Sequence, residues 1–244
     1  RAVAGRRERT DGKSLCVGGG GADGEYAAPV GGRYLESENP ADGRVHALVP
    51  DSDADDVALA VAAASRAFAG WAATARTERA AVLQRAASLL EARLDEFAAA
   101  EARDQGKPAG LARAVDIPRA VHNLRFFASA VLHAAHAASD CDVGGGLNVV
   151  QRVPVGVAAL VSPWNLPLYL ATWKLAPAIA SGCTCVLKPS EFTSLTAYMF
   201  AGILSQAGLP KGVVNIVFGT GPRAGAPLVS HKNVKLVSFT GGDK

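Results

Sequence analysis

Residues 157–191 read VAALVSPWNLPLYLATWKLAPAIASGCTCVLKPSE, and this stretch decides the fold. It opens on an unbroken apolar run, Val157–Val161, short and bounded like a buried strand. A loop containing Pro163 follows, and then an apolar helical stretch, Leu168–Ser181. That stretch ends at Gly182, where a helix C-terminal glycine belongs. Strand character returns at Thr184–Leu187. No charged residue lies between Arg152 and Lys174, a length that would span a bilayer. Pro154, Pro163 and Pro167 break that span, however, and Ser162 and Asn165 sit in its middle. A strand, a turn and a helix explain it better than a membrane crossing.

The same alternation continues downstream. A helix over Ser194–Ala207 closes at Gly208, a strand follows at Val213–Val217, and a short helix near Ala224–Ser230 precedes a strand at Lys235–Phe239. Apolar strands separated by helices predict a parallel sheet covered on both faces, an α/β fold of Rossmann-like type. Upstream the pattern differs. Short strands at Arg33–Leu35 and Arg44–Val49 flank turn signals at Asn39-Pro40 and Asp42-Gly43. Three predicted helices come next. The first starts at Asp51-Ser52-Asp53 and aligns Val57, Val61, Ala64 and Phe68 on one face. The second runs from Thr77, burying Val82, Leu83, Ala86, Leu89, Leu90, Leu94 and Phe97, and stops before Gly106-Lys107-Pro108. The third extends from Leu111 to His136 with a kink expected at Pro118. Residues 1–32, rich in Gly and Arg, read as a disordered or non-native lead, with weak support for a targeting segment.

Composition narrows the function classes. The 244 residues carry 25 Lys+Arg against 22 Asp+Glu, a formal +3, with no dominant basic stripe. That argues against nucleic acid as a partner, and a 49% hydrophobic fraction argues against whole-chain disorder. The four cysteines, Cys16, Cys141, Cys183 and Cys185, are too sparse for a disulfide scaffold, and no spacing completes a zinc site. Reduced thiols in a cytoplasmic protein, with neither metal nor membrane, is the expectation.

In open parallel sheets ligands sit beyond the carboxyl ends of the strands. Three loops hold that position here: Ser162–Pro167, Lys188–Glu191 and Phe218–Gly221. Gly219, Gly221 and Gly225 form a spaced variant of a dinucleotide fingerprint, and a plain strand-to-helix turn reads equally well. Lys188 and Glu191 are placed to hydrogen-bond the two hydroxyls of one ribose, with Glu191 repelling a 2′-phosphate. A solvated lysine and a helix-capping glutamate is the competing reading. Asn165, flanked by Trp164 and prolines, suits either a fixed oxyanion donor or an ordinary turn asparagine.

Taken together and in order, SPWNLPL at 162–168, KPSE at 188–191, NIVFGTG at 215–221 and SFTG at 238–241 resemble the aldehyde dehydrogenase superfamily from about Arg33 to Gly241. The run ARAVDIPRAVHNLRFFASA at 112–130, with Leu168–Trp173, most resembles the branch that oxidises 2-aminomuconate semialdehyde and related muconic semialdehydes. The resemblance implies an NAD cofactor and an aldehyde substrate. It implies Asn165 as the oxyanion-hole amide, with Ser162, Pro163 and Trp164 near the nicotinamide half of NAD. Lys188, Ser190 and Glu191 would hold the adenosine ribose, and Gly221 and Gly225 would admit the adenine side. Phe239, Thr240 and Gly241 would begin the loop over the pyrophosphate. The family chemistry is thiolate attack on the aldehyde, hydride transfer to NAD and hydrolysis of the thioester by a glutamate-activated water. Arg119, on a helix that runs beside the substrate entrance in the family, is a candidate partner for the carboxylate of a semialdehyde, against the plain alternative of a surface arginine.

Gly242 stands where the family has a serine, and the family's base glutamate and nucleophilic cysteine lie beyond the position of Lys244. The resemblance therefore implies a cofactor-binding domain over residues 33–244, incomplete and without the catalytic domain. Such a chain is expected to be inactive alone, marginally stable and not a homo-oligomer, unlike full-length members. A pseudoenzyme or a dinucleotide-binding fragment is the alternative function.

Overall fold

The computed structural model describes residues 15–16, 26–141 and 144–242. Three short strands come first: β1 (Leu15–Cys16), β2 (Tyr34–Asn39) and β3 (Arg44–Pro50). β2 and β3 form the expected hairpin, and β1 adds to β3 in parallel, Leu15 beside Ala47. The expectation of disorder over 1–32 is thus corrected for β1 and for residues 26–32, where Gly32 N–H closes a turn on Pro29 and Tyr26 Oη donates to the Tyr198 carbonyl. The rest of that lead lies outside the described residues.

Helix α1 (Ala54–Ala73) begins where the aspartates predict. Asp53 caps the Asp55 N–H at 3.1 Å, and Asp56 returns a bond to the Asp53 N–H, a reciprocal capping box. The second predicted helix is in fact two, α2 (Arg76–Ala92) and α3 (Leu94–Gln105), separated at Arg93. α2 packs chiefly on α5 (Ile117–His133), and also on α6 (Pro167–Ser181) and α7 (Leu195–Gln206), whereas α3 packs chiefly on the turn ahead of α5 and on α7. The principal partner changes where the chain breaks. The third predicted helix starts as α4 (Ala109–Leu111), passes through a π-helical turn at Ala112–Asp116 and continues as α5. Pro118 has no N–H to offer the preceding turn, and the expected kink takes the form of that π turn. After α5, strands β4 (Ala137–Cys141) and β5 (Gly146–Val150) make an exposed hairpin. The helix itself ends at His133, short of the expected His136.

The remaining elements follow the predicted order: β6 (Val157–Val161), α6, β7 (Thr184–Lys188), α7, β8 (Val214–Ile216), a π turn at Gly221–Gly225 leading to α8 (Ala226–Val229), and β9 (Val234–Phe239). All four strands are parallel, in the order β8-β7-β6-β9. Alternate residues of β6 face opposite layers. Val157 and Ala159 join Val186, α1 and α8 in one core, while Ala158 and Leu160 join Cys185, Leu187 and the helices α2, α5, α6 and α7 in the other. β6 and β7 are buried on both faces as expected. β9 is not: Leu236, Val237 and Phe239 are exposed. The uncharged run between Arg152 and Lys174 resolves into β6, a loop and α6, and no single described helix is long and apolar enough to cross a membrane.

Candidate active site

The strand order turns between β6 and β9: chain connections from β6 run toward β7 and β8 on one side, and β9 returns on the other. Such a switch point opens a crevice beyond the carboxyl ends of the two strands, because their following loops diverge. Ser162–Asn165 leaves β6 at that crevice and Thr240-Gly241 leaves β9. The two loops are tied at their roots by Thr240 N–H donating to the Val161 carbonyl at 3.1 Å. The loop after β7 joins them through Ser162 N–H on the Lys188 carbonyl at 3.2 Å.

Lys188 is the last residue of β7 and is only 4% exposed, so it is not a solvated lysine. Its Nζ lies 3.0 Å from Glu191 Oε2, and the glutamate is the more open of the two. A cation and a carboxylate, fixed side by side on a strand end, form a donor–acceptor set suited to a vicinal diol. Ser190 turns inward: its Oγ accepts from Phe192 N–H and its carbonyl takes the Ser194 hydroxyl. It shapes the loop.

In the third loop the decisive glycine is Gly219, with φ +113° and a would-be Cβ 3.0 Å from the Ser52 nitrogen. No side chain fits there. Gly221 faces open space, with nothing within 4 Å of a Cβ, and Gly225 brings the π turn against Lys188 at 3.9 Å. Arg223 of the same turn is held by Asp51, Nε to Oδ2 at 2.9 Å.

Asn165 is exposed, and its side-chain amide has no hydrogen-bond partner among the described residues. Its backbone is anchored: Lys107 Nζ donates to the Asn165 carbonyl at 3.3 Å while pairing with buried Asp116. An amide kept open on an anchored backbone can serve as an oxyanion donor. Trp164 beside it is 54% exposed, and Pro163 completes the loop. Ser162 is buried, with an Oγ that finds no hydrogen-bond partner among the described residues. Arg119 lies on α5 with its guanidinium 5.6 Å from the ring centroid of Tyr169, in the first turn of α6. Phe239 and Gly241 are exposed at the end of β9, with Phe239 Cζ 2.8 Å from a Cβ placed on Gly241.

Two lysines were missed by sequence reasoning. Lys107 sits in a segment read only as a helix breaker. Lys174 of α6 is 7% exposed and donates to Ser238 Oγ at 3.1 Å and Thr240 Oγ1 at 2.9 Å, and burial holds its ammonium below the usual lysine range. A single lysine on an otherwise apolar helix was the available signal.

A donor–acceptor pair for a diol, an orphaned buried hydroxyl at the switch point and a glycine facing open space all fit a bound dinucleotide, and they define a doubly wound nucleotide-binding type of domain. The aldehyde dehydrogenase family matches residues 26–244, and the chain belongs to it. It is 57% identical to the 2-aminomuconic semialdehyde dehydrogenase of Bos taurus over 208 residues, covering 85% of this chain and 43% of that protein. It is 43% identical to the 2-hydroxymuconic semialdehyde dehydrogenase of Pseudomonas sp. (strain CF600), covering 90% and 46%. Among solved structures, an aldehyde dehydrogenase from Bacillus cereus in complex with NAD+ superposes with a TM-score of 0.89 at 38% identity, covering 92% of this chain and 46% of that one. The chain spans less than half the length of these relatives.

Proposed function

We propose that the chain is the cofactor-binding part of an NAD-dependent dehydrogenase that oxidises a muconic-type semialdehyde to the carboxylic acid. The observation that carries this reading is the buried Lys188 paired with Glu191 at the end of β7, beside the switch-point crevice. Lys188 donates to, and Glu191 accepts from, the hydroxyls of the adenosine ribose, and the carboxylate disfavours a 2′-phosphate, hence NAD rather than NADP. NAD, when bound, supplies the hydride acceptor.

Ser162, Pro163 and Trp164 line the nicotinamide half, Gly221 and Gly225 leave room on the adenine side, and Phe239, Thr240 and Gly241 cover the pyrophosphate. Asn165 donates its open amide to the oxyanion formed as a thiolate adds to the aldehyde, an interaction worth about 3 kcal/mol in comparable sites. Arg119 pairs with the carboxylate that a muconic semialdehyde carries and a simple aldehyde does not; its exposed guanidinium beside Tyr169 supports this. The semialdehyde dehydrogenases among the relatives support the same substrate class. Full-length assembly is a homo-oligomer. The free, buried thiols of Cys183 and Cys185 suit a reducing, cytoplasmic setting.

One observation favours a second reading, dinucleotide binding without catalysis by this chain alone. Cys183 and Cys185 are both buried away from the crevice loops in or beside β7, and burial pushes the Cys185 thiol above the ordinary range, so Cys185 is not a ready thiolate. Calorimetric titration with NAD, paired with an assay for aldehyde-dependent NADH, separates the readings. Binding with turnover supports the enzyme, binding without turnover supports the second reading, and no binding overturns both. In a full-length relative, replacing the counterpart of Arg119 by Ala is expected to raise KM for carboxylated aldehydes more than for neutral ones, and equal effects would remove Arg119 from the site.

A further inference from the structure

α6 and α7 follow the two loops that flank the crevice, yet neither helix is capped by its own sequence. Leu166 and Ser194 occupy the N-cap positions without a side-chain bond to the first turn, the Ser194 hydroxyl going back to the Ser190 carbonyl instead. The exposed amides are instead met by a third helix. Glu101 of α3 is fully buried, and its two oxygens go to different helices: Oε1 accepts the Leu168 N–H of α6 at 3.3 Å, and Oε2 accepts the Thr196 hydroxyl of α7 at 2.8 Å. One turn later, buried Asp104 accepts the Leu195 N–H of α7 at 2.8 Å. The same segment then sends Lys107 to the Asn165 carbonyl.

We infer that Glu101 is a positioning residue for the dinucleotide site, fixing the loop after β6 relative to the loop after β7, so that its ionisation sets how tightly the chain holds NAD. This rests on the reading of those loops as the NAD site. A carboxylate shared by two helix N-termini is an acceptor at both ends. A protonated carboxyl has only one good acceptor oxygen left, and it loses the charge assistance that roughly doubles such a bond. The longer contact, to Leu168, is the one that weakens. The charged groups acting on Glu101 are Lys107, which favours ionisation, and Asp116, which opposes it; Asp104 lies on its own helix. Burial outweighs them and pushes the carboxyl up to about 7, within the range where dinucleotide binding is measured.

The test is the NAD dissociation constant of the whole chain, measured calorimetrically between about pH 6 and about pH 8, with thermal melting recorded alongside. For the unaltered chain the constant is expected to rise roughly threefold toward the acid end, the loss of one charge-assisted bond. Glu101→Gln keeps the side-chain volume but removes the titration, and its profile is expected to be flat. Thr196→Val keeps the glutamate and removes the bond that favours its ionised form, so the midpoint of the profile moves to higher pH. A part that is merely structural lowers the melting temperature without altering the profile. An E101Q profile that parallels the unaltered one overturns the inference alone; should E101Q not fold, an unmoved midpoint in T196V does so. Absence of NAD binding by the unaltered chain at every pH overturns the dinucleotide reading and this inference with it.

Discussion

Lys174 reaches from the middle of α6 to Thr240, Nζ to Oγ1 at 2.9 Å, and so joins the helix that follows β6 to the loop that follows β9. Its other partner is the Ser238 hydroxyl, and no carboxylate among the described residues pairs with it. A buried ammonium held by two hydroxyls depends on both. Thr240→Val is expected to lower stability by about 1–2 kcal/mol in urea denaturation, the cost of leaving part of a buried charge unsatisfied. The Ser238→Ala,Thr240→Val pair should lose more than the sum of the single changes. Additive losses would show that solvent replaces the hydroxyls.

Glu101 gives the chain a pH-dependent stability. Its carboxyl is raised from 4.5 to about 7, chiefly by burial, so ionising it is harder in the folded chain than in the unfolded one. The contribution is whole below the unfolded value and is lost as pH rises through 7. The stability of Glu101→Gln relative to the unaltered chain should therefore increase from about pH 5 to about pH 8. Denaturation midpoints that keep a constant gap over that range would contradict it.

On the proposed reading, Glu191 governs the choice between dinucleotides. The unaltered chain is expected to bind NAD in preference to NADP, and Glu191→Gln to narrow that preference by at least roughly tenfold by removing like-charge repulsion. Competition binding with the two cofactors measures it. Equal narrowing by a substitution at exposed Phe192 would point to loop shape instead of charge.

The glycines of the third loop have separable roles. Gly219→Ala meets the Ser52 backbone and forces an unfavourable φ, so a loss of about 2 kcal/mol or more is expected. Gly221→Ala meets nothing and should stay within about 0.5 kcal/mol of the unaltered chain, while weakening NAD. Chemical denaturation compared with NAD titration distinguishes the two, and a Gly221→Ala chain that binds as well as the parent would remove Gly221 from the site.

The alternation of apolar strands and helices, and the aspartates that open α1, are local signals, and both were legible in the sequence. So were the loops at the strand ends, because the residues that shape them are contiguous. What escaped was non-local. The break at Arg93 falls where the principal packing partner changes from α5 to the turn ahead of it, and the apolar spacing through Leu90 and Phe97 runs on unbroken across it. Glu101 and Asp104 look like surface charges on an amphipathic helix, yet they cap helices about 65 to 95 positions further along the chain. Lys174 carries no sign of its partners, which come from a strand that begins sixty residues later and from the loop that follows it. Gly219, Gly221 and Gly225 share one fingerprint, but only the fold distinguishes Gly219 as the one that admits no side chain, because the Ser52 backbone lies against it.

β9 is the wall of the crevice with the least support: it pairs with β6 along one side and shows Leu236, Val237 and Phe239 to solvent. Its amides open to exchange with deuterated water at lower free energy than those of β6 and β7, which are enclosed by both cores. A ligand seated between β6 and β9 draws on contacts from both walls and slows that opening. The strand that is weakest alone is therefore the one whose exchange rate reads out occupancy, residue by residue, with no label attached to the ligand.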